Sequence, residues 1–456
     1  MRHHNPQIWN ASIGILGLMI APFCLLPGLA QPTTGGAQQP PATLTLKDAL
    51  ALAQKNDPTL LAAESDLATA REDRAQARAA LYPTLSGRSE YLGTEGNGKL
   101  ASGRFVTNDG VHVYRDWAVV HQDLSPGTLK GIAIQRASAA EALARAKMEI
   151  ARRGIAAAVT KNYYALIVAQ RKYATAQQAL DEAQHFLKIT QDLERGREVA
   201  HSDVVKSQLQ EVTQQQALAE AKVGMESARL DLAVLLFRNF DETFSIVDDL
   251  DMAPALPSRP EVETMAGREN PAIGAALEAQ HTASLDIALA RQAYLPTLTV
   301  DAVYGIEANA FALHSSVAAA KDLGPLPNLG YFITASLNIP VWDWGVRRSK
   351  VRQAEIKHEQ AAADLSLAQR TAIRNLRGFY DEAEAARQQV DLQRRALDLS
   401  SESLRLNTLR YQAGEATILD VVDAQSALIQ ARNAYADAMV RYRVSISSLQ
   451  TLTGSF

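Results

Sequence analysis

The chain has 456 residues, a formal net charge of −4 and 21% charged residues, enough for one large domain or two to three ordinary ones. No block of Lys or Arg stands out, so nothing in the charge pattern points to nucleic acid. One cysteine and nine scattered histidines, without a His-Glu-x-x-His pair or a glycine-rich phosphate loop, offer no enzymatic constellation, no cofactor site and no metal site.

Residues 1–30 read as a signal peptide. Arg2 supplies the positive start, an apolar stretch runs from Ile13 to Leu29, and Gly28-Leu29-Ala30 sets small residues at a cleavage site. Pro22 and Pro27 interrupt the run, which argues against a membrane anchor. Cys24 is preceded by Phe23 and Ala21, unlike a lipoprotein signal, so it leaves with the peptide and the mature chain has no thiol. No later segment has 18 consecutive apolar residues, so no transmembrane helix is expected. A bilayer crossing then requires a closed β-barrel, because lipid leaves no other way to satisfy every backbone polar group.

The rest divides into two repeats, residues 31–240 and 241–456. In the first, Asp57 caps a helix that begins at Pro58 and ends near Leu81. Pro83 then forces an extended chain. Two barrel strands follow within about residues 84–122, separated by a glycine-rich loop from Gly93 to Gly110. Their apolar positions are Leu85 and Tyr91, then Val111, Val113, Trp117 and Val119, with Arg115 intruding. A proline-free run from Thr128 to about Leu193 follows. Gly196 provides a left-handed turn, and a helix returns from Ser202 to Leu236.

The second repeat carries the same marks. Asn270-Pro271 and Leu295-Pro296-Thr297-Leu298 answer Asp57-Pro58 and Tyr82-Pro83-Thr84-Leu85 at an offset of 213, and Asp420-Val421-Val422 answers Asp203-Val204-Val205 at an offset of 217. Strands are expected within about residues 297–340. Leu298, Val300, Ala302, Tyr304 and Ile306 alternate with Thr299, Asp301, Val303 and Glu307, and Pro340 marks the joint after them. An ordinary half-buried sheet would show the same alternation. A second proline-free run spans Val346 to Tyr411, and Gly414 turns the chain.

Each long run is about 65 residues, or roughly 100 Å of helix, far beyond a globular helix. In the second, Val390, Leu397, Leu404 and Tyr411 recur every seven residues, and so do Leu392, Leu399 and Leu406. The two series lie about 200° apart, so the helix has neighbours on opposite sides, as a stave in a wall does. Four strands cannot close a barrel, so strands that cross a membrane require further copies of the chain.

These joints, together with Arg410-Tyr411-Gln412-Ala413-Gly414-Glu415-Ala416 and Leu419-Asp420-Val421-Val422-Asp423-Ala424-Gln425, closely resemble the TolC-like outer membrane efflux protein family over about Leu44 to Gly454. The resemblance implies a mixed α/β membrane protein. Its fold would be a homotrimeric 12-stranded β-barrel, four strands per chain, continuous with a long α-helical periplasmic barrel and built from two internal repeats. It implies a non-enzymatic exit channel in the outer membrane of a Gram-negative-type bacterium, with a large periplasmic part. The implied partners are the lipid bilayer, a periplasmic adaptor (membrane fusion) protein and an inner-membrane pump. Drugs, metals or proteins could be the cargo, the last as a type I secretion duct.

The resemblance also places a gate at the periplasmic tip. Tyr411, Asp420 and Asp423 match its positions in the second hairpin, and Ser202 and Asp203 those in the first. Ala416 stands where the gate's usual arginine would be, which leaves a Tyr411–Asp203 hydrogen bond as the candidate lock. Asp420 and Asp423, spaced i, i+3, share a helix face, so threefold symmetry would stack them as two carboxylate rings that favour cations. The contrasting reading, a periplasmic adaptor or structural coiled-coil protein, requires a single hairpin and an inner-membrane anchor.

Overall fold

The computed structural model describes residues 42–94, 111–239, 244–252, 254–308, 311–318 and 325–454. The signal peptide and Cys24 lie outside them, as does most of the Gly93–Gly110 loop. Chain order is β1 (Ala42–Leu44), α1 (Leu46–Asn56), α2 (Pro58–Ala79), β2 (Thr84–Thr94), β3 (Val111–Asp123), α3 (Pro126–Leu129), α4 (Ile132–Arg195) and α5 (His201–Leu236). It continues with β4 (Phe244–Ile246), α6 (Arg259–Glu269), α7 (Pro271–Gln292), β5 (Thr297–Ala308), β6 (His314–Ala318), β7 (Pro325–Pro327), β8 (Leu329–Asn338), α8 (Val346–Gln412) and α9 (Ile418–Thr453). β6 and β7 pair as a separate small hairpin between β5 and β8.

Local chemistry starts both shorter helices alike. The Asp57 carboxylate accepts the amides of Thr59 and Leu60, and the Asn270 side chain accepts those of Ala272 and Ile273. Each cap is followed by proline at the first helical position, where its missing N–H costs nothing. Pro83 and Pro296 stand immediately before β2 and β5, and Pro340 lies two residues beyond β8.

β2, β3, β5 and β8 form one antiparallel sheet in that order, with strands of 11, 13, 12 and 10 residues. These lengths suffice to cross a bilayer. No helix among the described residues is long and apolar enough to do so. The register corrects the expected face of β3. Arg115 pairs opposite both Glu90 and Glu307, so Val113, Arg115, Trp117 and Val119 share the face of Asp301 and Glu307. Leu85 and Tyr91 lie on the other face, opposite Val120 and Tyr114. Arg115 therefore intrudes on nothing. Its Nη1 reaches Glu90 at 3.1 Å, its Nε reaches Glu307 at 3.0 Å, and its guanidinium lies 5.4 Å from the centre of the Trp117 ring. On the same face His121 Nδ1 lies 2.7 Å from the Asp301 carboxylate. The opposite face presents Leu85, Tyr91, Tyr304, Tyr331, Ile333 and Leu337 exposed, Tyr331 by 80%.

The helices form a layered wall. Near the sheet α4 lies between α2 and α7, joined by Arg74–Glu141 and Arg136–Asp286 ion pairs. Farther along it lies between α5 and α9, through the Thr190–Ser207 hydrogen bond and the Lys172–Asp437 pair. α8 packs on α7 and α9. The two repeats do not fold apart. From Thr43 onward the described residues make one unit, and its largest core joins Ala49, Ala53, Tyr163, Ile167, Leu232 and Leu236 to Ala436 and Met439 of α9.

Candidate functional site

The two helical hairpins end side by side. Both turns use the same helix stop, in which the amide two residues past the cap returns to a carbonyl in the last turn. In the first, Glu198 donates to Leu193 and Arg197 to Glu194; in the second, Glu415 donates to Arg410 and Gly414 to Tyr411. Gly414 takes the left-handed position as expected, at φ 75°. Gly196 does not. It lies at φ −74°, and Arg197 occupies the left-handed position at φ 62°. The glycine arrives one residue too early in the chain to relieve it.

Phe186, Tyr411, Ile418 and Val421 form a small apolar core at the tip. The Phe186 and Tyr411 rings lie 5.2 Å apart. Ala416 packs against this cluster, so its methyl continues the apolar packing. Tyr411 is 4% exposed, and its hydroxyl has no hydrogen-bond partner among the described residues. The expected Tyr411–Asp203 hydrogen bond is therefore not formed. Burial, and secondarily the charge of Asp203, hold the Tyr411 hydroxyl above its ordinary pKa. The Asp203 carboxylate instead lies 3.5 Å from the Ser202 hydroxyl and 4.0 Å from Lys206. Tyr411, Asp203 and Leu419 all line a groove of about 560 Å³ between the hairpins.

Asp420 has an unforeseen second task. Its carboxylate accepts the Thr417 amide and hydroxyl, both at 2.7 Å, while its own amide donates back to that hydroxyl at 3.4 Å. This reciprocal cap starts α9. The bonds from Thr417 hold the Asp420 carboxyl below its ordinary value. Thr417 and Asp420 stand three apart, so the cap was legible in the sequence. Asp423, one turn on, is exposed, so both carboxylates stand on the open surface of the first two turns. Sequence reasoning missed the Thr190–Ser207 hydrogen bond, 3.1 Å long and buried between α4 and α5, and the Phe186 ring. Neither belongs to a spaced motif. His201, beside the turn, lies 2.7 Å from Glu194 across it.

Comparison with known proteins agrees with this geometry. The family model described as outer membrane efflux protein matches residues 264–455. The cobalt-zinc-cadmium resistance protein CzcC of Cupriavidus metallidurans is 25% identical over 96% of this chain and 98% of its own. Outer membrane protein TolC of Escherichia coli is also 25% identical, over 39% of this chain, and the match spans only 36% of TolC's length. Among solved structures, the Campylobacter jejuni CmeC outer membrane channel superposes with a TM-score of 0.76 at 16% identity, covering 90% of this chain and 85% of that one. At that identity the likeness establishes the fold. With the tip, the sheet and the sequence in agreement, the chain has the fold of these outer membrane channels, and its second repeat matches the outer membrane efflux protein family model.

Proposed function

We propose that the chain assembles as a homotrimer into an exit duct of a tripartite efflux system, passing cargo from an inner-membrane pump and a periplasmic adaptor to the exterior. One observation carries this reading: the same chain leaves both a sheet and a helical wall unfinished. β2 and β8 are sheet edges with no strand beyond them among the described residues. On the helices, α8 presents Ile356, Leu367, Leu392, Leu399 and Leu406 along one exposed stripe, and α5 presents Val205, Leu209, Val212, Val223, Leu230 and Val234 along another. Stripes of this kind mark association surfaces. Counted back from the two turns, Leu399 and Val212 lie at the same depth to within about half a helical turn. A copy's α8 stripe thus meets the α5 stripe of the next, and β8 meets its β2, and both closures use one rotation axis.

In that assembly the face of Arg115, His121, Asp301 and Glu307 turns to the water-filled interior, and the face of Tyr331 and Ile333 turns to lipid. Asp420 and Asp423 ring the periplasmic mouth, where carboxylates favour cations. Gly196 and Gly414 serve as turn residues, and Ser202 and Asp203 face the mouth from the first hairpin. The lock is the apolar packing of Phe186, Tyr411 and Ala416, in place of an ion pair.

Leu399→Cys combined with Val212→Cys, in a chain whose only native cysteine is Cys24, tests the assembly. Oxidation should give a ladder ending at three chains. Crosslinks within one chain only would sink the reading. In planar bilayers, Asp420→Ala with Asp423→Ala should weaken block by multivalent cations, and unchanged block would remove both from the mouth.

A further inference from the structure

A cavity of about 160 Å³ lies between α1, α4 and α9, far in sequence from the hairpin turns. Its polar side is built by Arg443, Ser447 and Gln450 of α9, and its apolar side by Leu50 of α1 with Ile446 and Pro254. Arg443 is the only ionisable cation there. Its Nη2 donates to the Asp249 backbone carbonyl at 2.5 Å, and its guanidinium stacks 5.2 Å from the centre of the Tyr164 ring. The Asp249 carboxylate lies beyond ion-pair distance of it, against the Tyr164 hydroxyl at 3.4 Å; no carboxylate among the described residues pairs with Arg443, and its Nε is buried without a hydrogen-bond partner among them. Ser447 is 3% exposed, and its hydroxyl also has no partner among the described residues. A buried donor left without an acceptor costs free energy. Two such donors at the wall of one cavity, one of them on the guanidinium itself, are placed to hold an anion.

The geometry points to a binding site for a short-chain aliphatic monocarboxylate, its carboxylate on Arg443, Ser447 and Gln450 and its tail against Leu50, Ile446 and Pro254. One positive charge balances one negative charge. A dianion would be left with excess charge in a half-apolar cavity, where burying charge is expensive. A wholly apolar ligand would leave the Arg443 and Ser447 donors unmade. The Tyr164 hydroxyl does not compete as an anion, because burial pushes its pKa up to about 12.

The test reads ligand binding and not conduction, so its outcome is separate from that of the duct. Thermal unfolding of the full-length chain in detergent is followed against sodium butyrate, with sodium chloride at equal ionic strength and with inorganic phosphate as references. A ligand bound only by the folded state raises Tm saturably. Butyrate should do so and neither reference should. Arg443→Gln should weaken the effect at least tenfold. Ser447→Ala should weaken it about threefold while leaving the ligand-free Tm unchanged or higher, since it deletes an unmade donor. Leu50→Phe keeps every charge and fills the apolar end, so it should abolish the shift even if Arg443→Gln fails to fold. No butyrate shift, an equal shift with chloride or phosphate, or a shift that survives Leu50→Phe would each overturn the site.

Discussion

The two long helices, α4 and α8, are close in length, at 64 and 67 residues, and occupy equivalent places in the two repeats. They are otherwise unlike. α4 buries eighteen residues, among them Val159, Tyr163, Tyr164, Leu166 and Ile167, while α8 buries four: Ala354, Ala383, Ala386 and Tyr411. α4 is therefore an interior stave, flanked on both sides by its own chain. α8 is a boundary stave, finished on one side only. The same heptad grammar serves both, and the difference lies in who supplies the neighbour. Stability is concentrated around α4, and α8 carries the exposed stripe through which the proposed assembly would form.

The sharpest way to break this division is to charge the open stripe of α8. Leu392→Arg with Leu399→Arg should abolish the oligomer on size-exclusion chromatography in mild detergent, while circular dichroism keeps the helical signal. If the helicity collapses as well, α8 is not a boundary. The converse change in α4, Ile167→Ala, should cost about 3 kcal/mol of stability by opening a cavity in the main core, seen as a lowered Tm with little effect on subunit association.

Glu141 tests whether the flank of α4 is also held by charge. It is 5% exposed and takes Arg74 at 2.5 Å, Arg145 at 2.8 Å and Arg71 at 3.7 Å. The three arginines keep much of their hydration, so Glu141→Ala should cost about 1–3 kcal/mol, below the usual loss for a fully buried pair. The turns give a signed pair of smaller effects. Arg197→Gly should stabilise the first tip by about 1 kcal/mol, because glycine accepts the left-handed conformation freely. Gly414→Ala should destabilise the second by a similar amount. Hydrogen exchange of the hairpin ends resolves both.

The smallest effect is electrostatic. The Asp420 carboxyl is held below its ordinary value by its bonds from Thr417, so its capping contribution is present at neutral pH and fades as acid protonates it, below the usual aspartate range. Exchange protection in the first turn of α9 should therefore hold from neutral pH down to about pH 4 and fall below it, and Asp420→Asn should flatten that dependence.

Much of this was legible in the sequence because it depends on local rules. Asp57-Pro58 and Asn270-Pro271 start helices through their own side chains, and Pro83 and Pro296 end them. The seam of Leu392, Leu399 and Leu406 was legible from spacing alone, and the structure leaves it as an exposed apolar stripe. What was not legible depends on partners distant in sequence. The face of β3 was misassigned because Val113, Trp117 and Val119 are apolar, and only the register with Glu90 and Glu307 shows that Arg115 sets the side. The place of Gly196 was misjudged by one residue because helix length, not glycine, fixes where the turn falls. The Tyr411–Asp203 bond failed because Phe186, more than two hundred residues earlier, claims the tyrosine ring for an apolar core.

The shared core also sets an order of events. Ala49 and Ala53 lie at the beginning of the folded chain, and Ala436 and Met439, which pack in the same cluster, lie near its end. Contacts of such separation form late and slowly. During synthesis the central core therefore stays open until α9 is made, while the long helices before it are already able to form. A truncation before Ala436 would leave that first half permanently without its last wall.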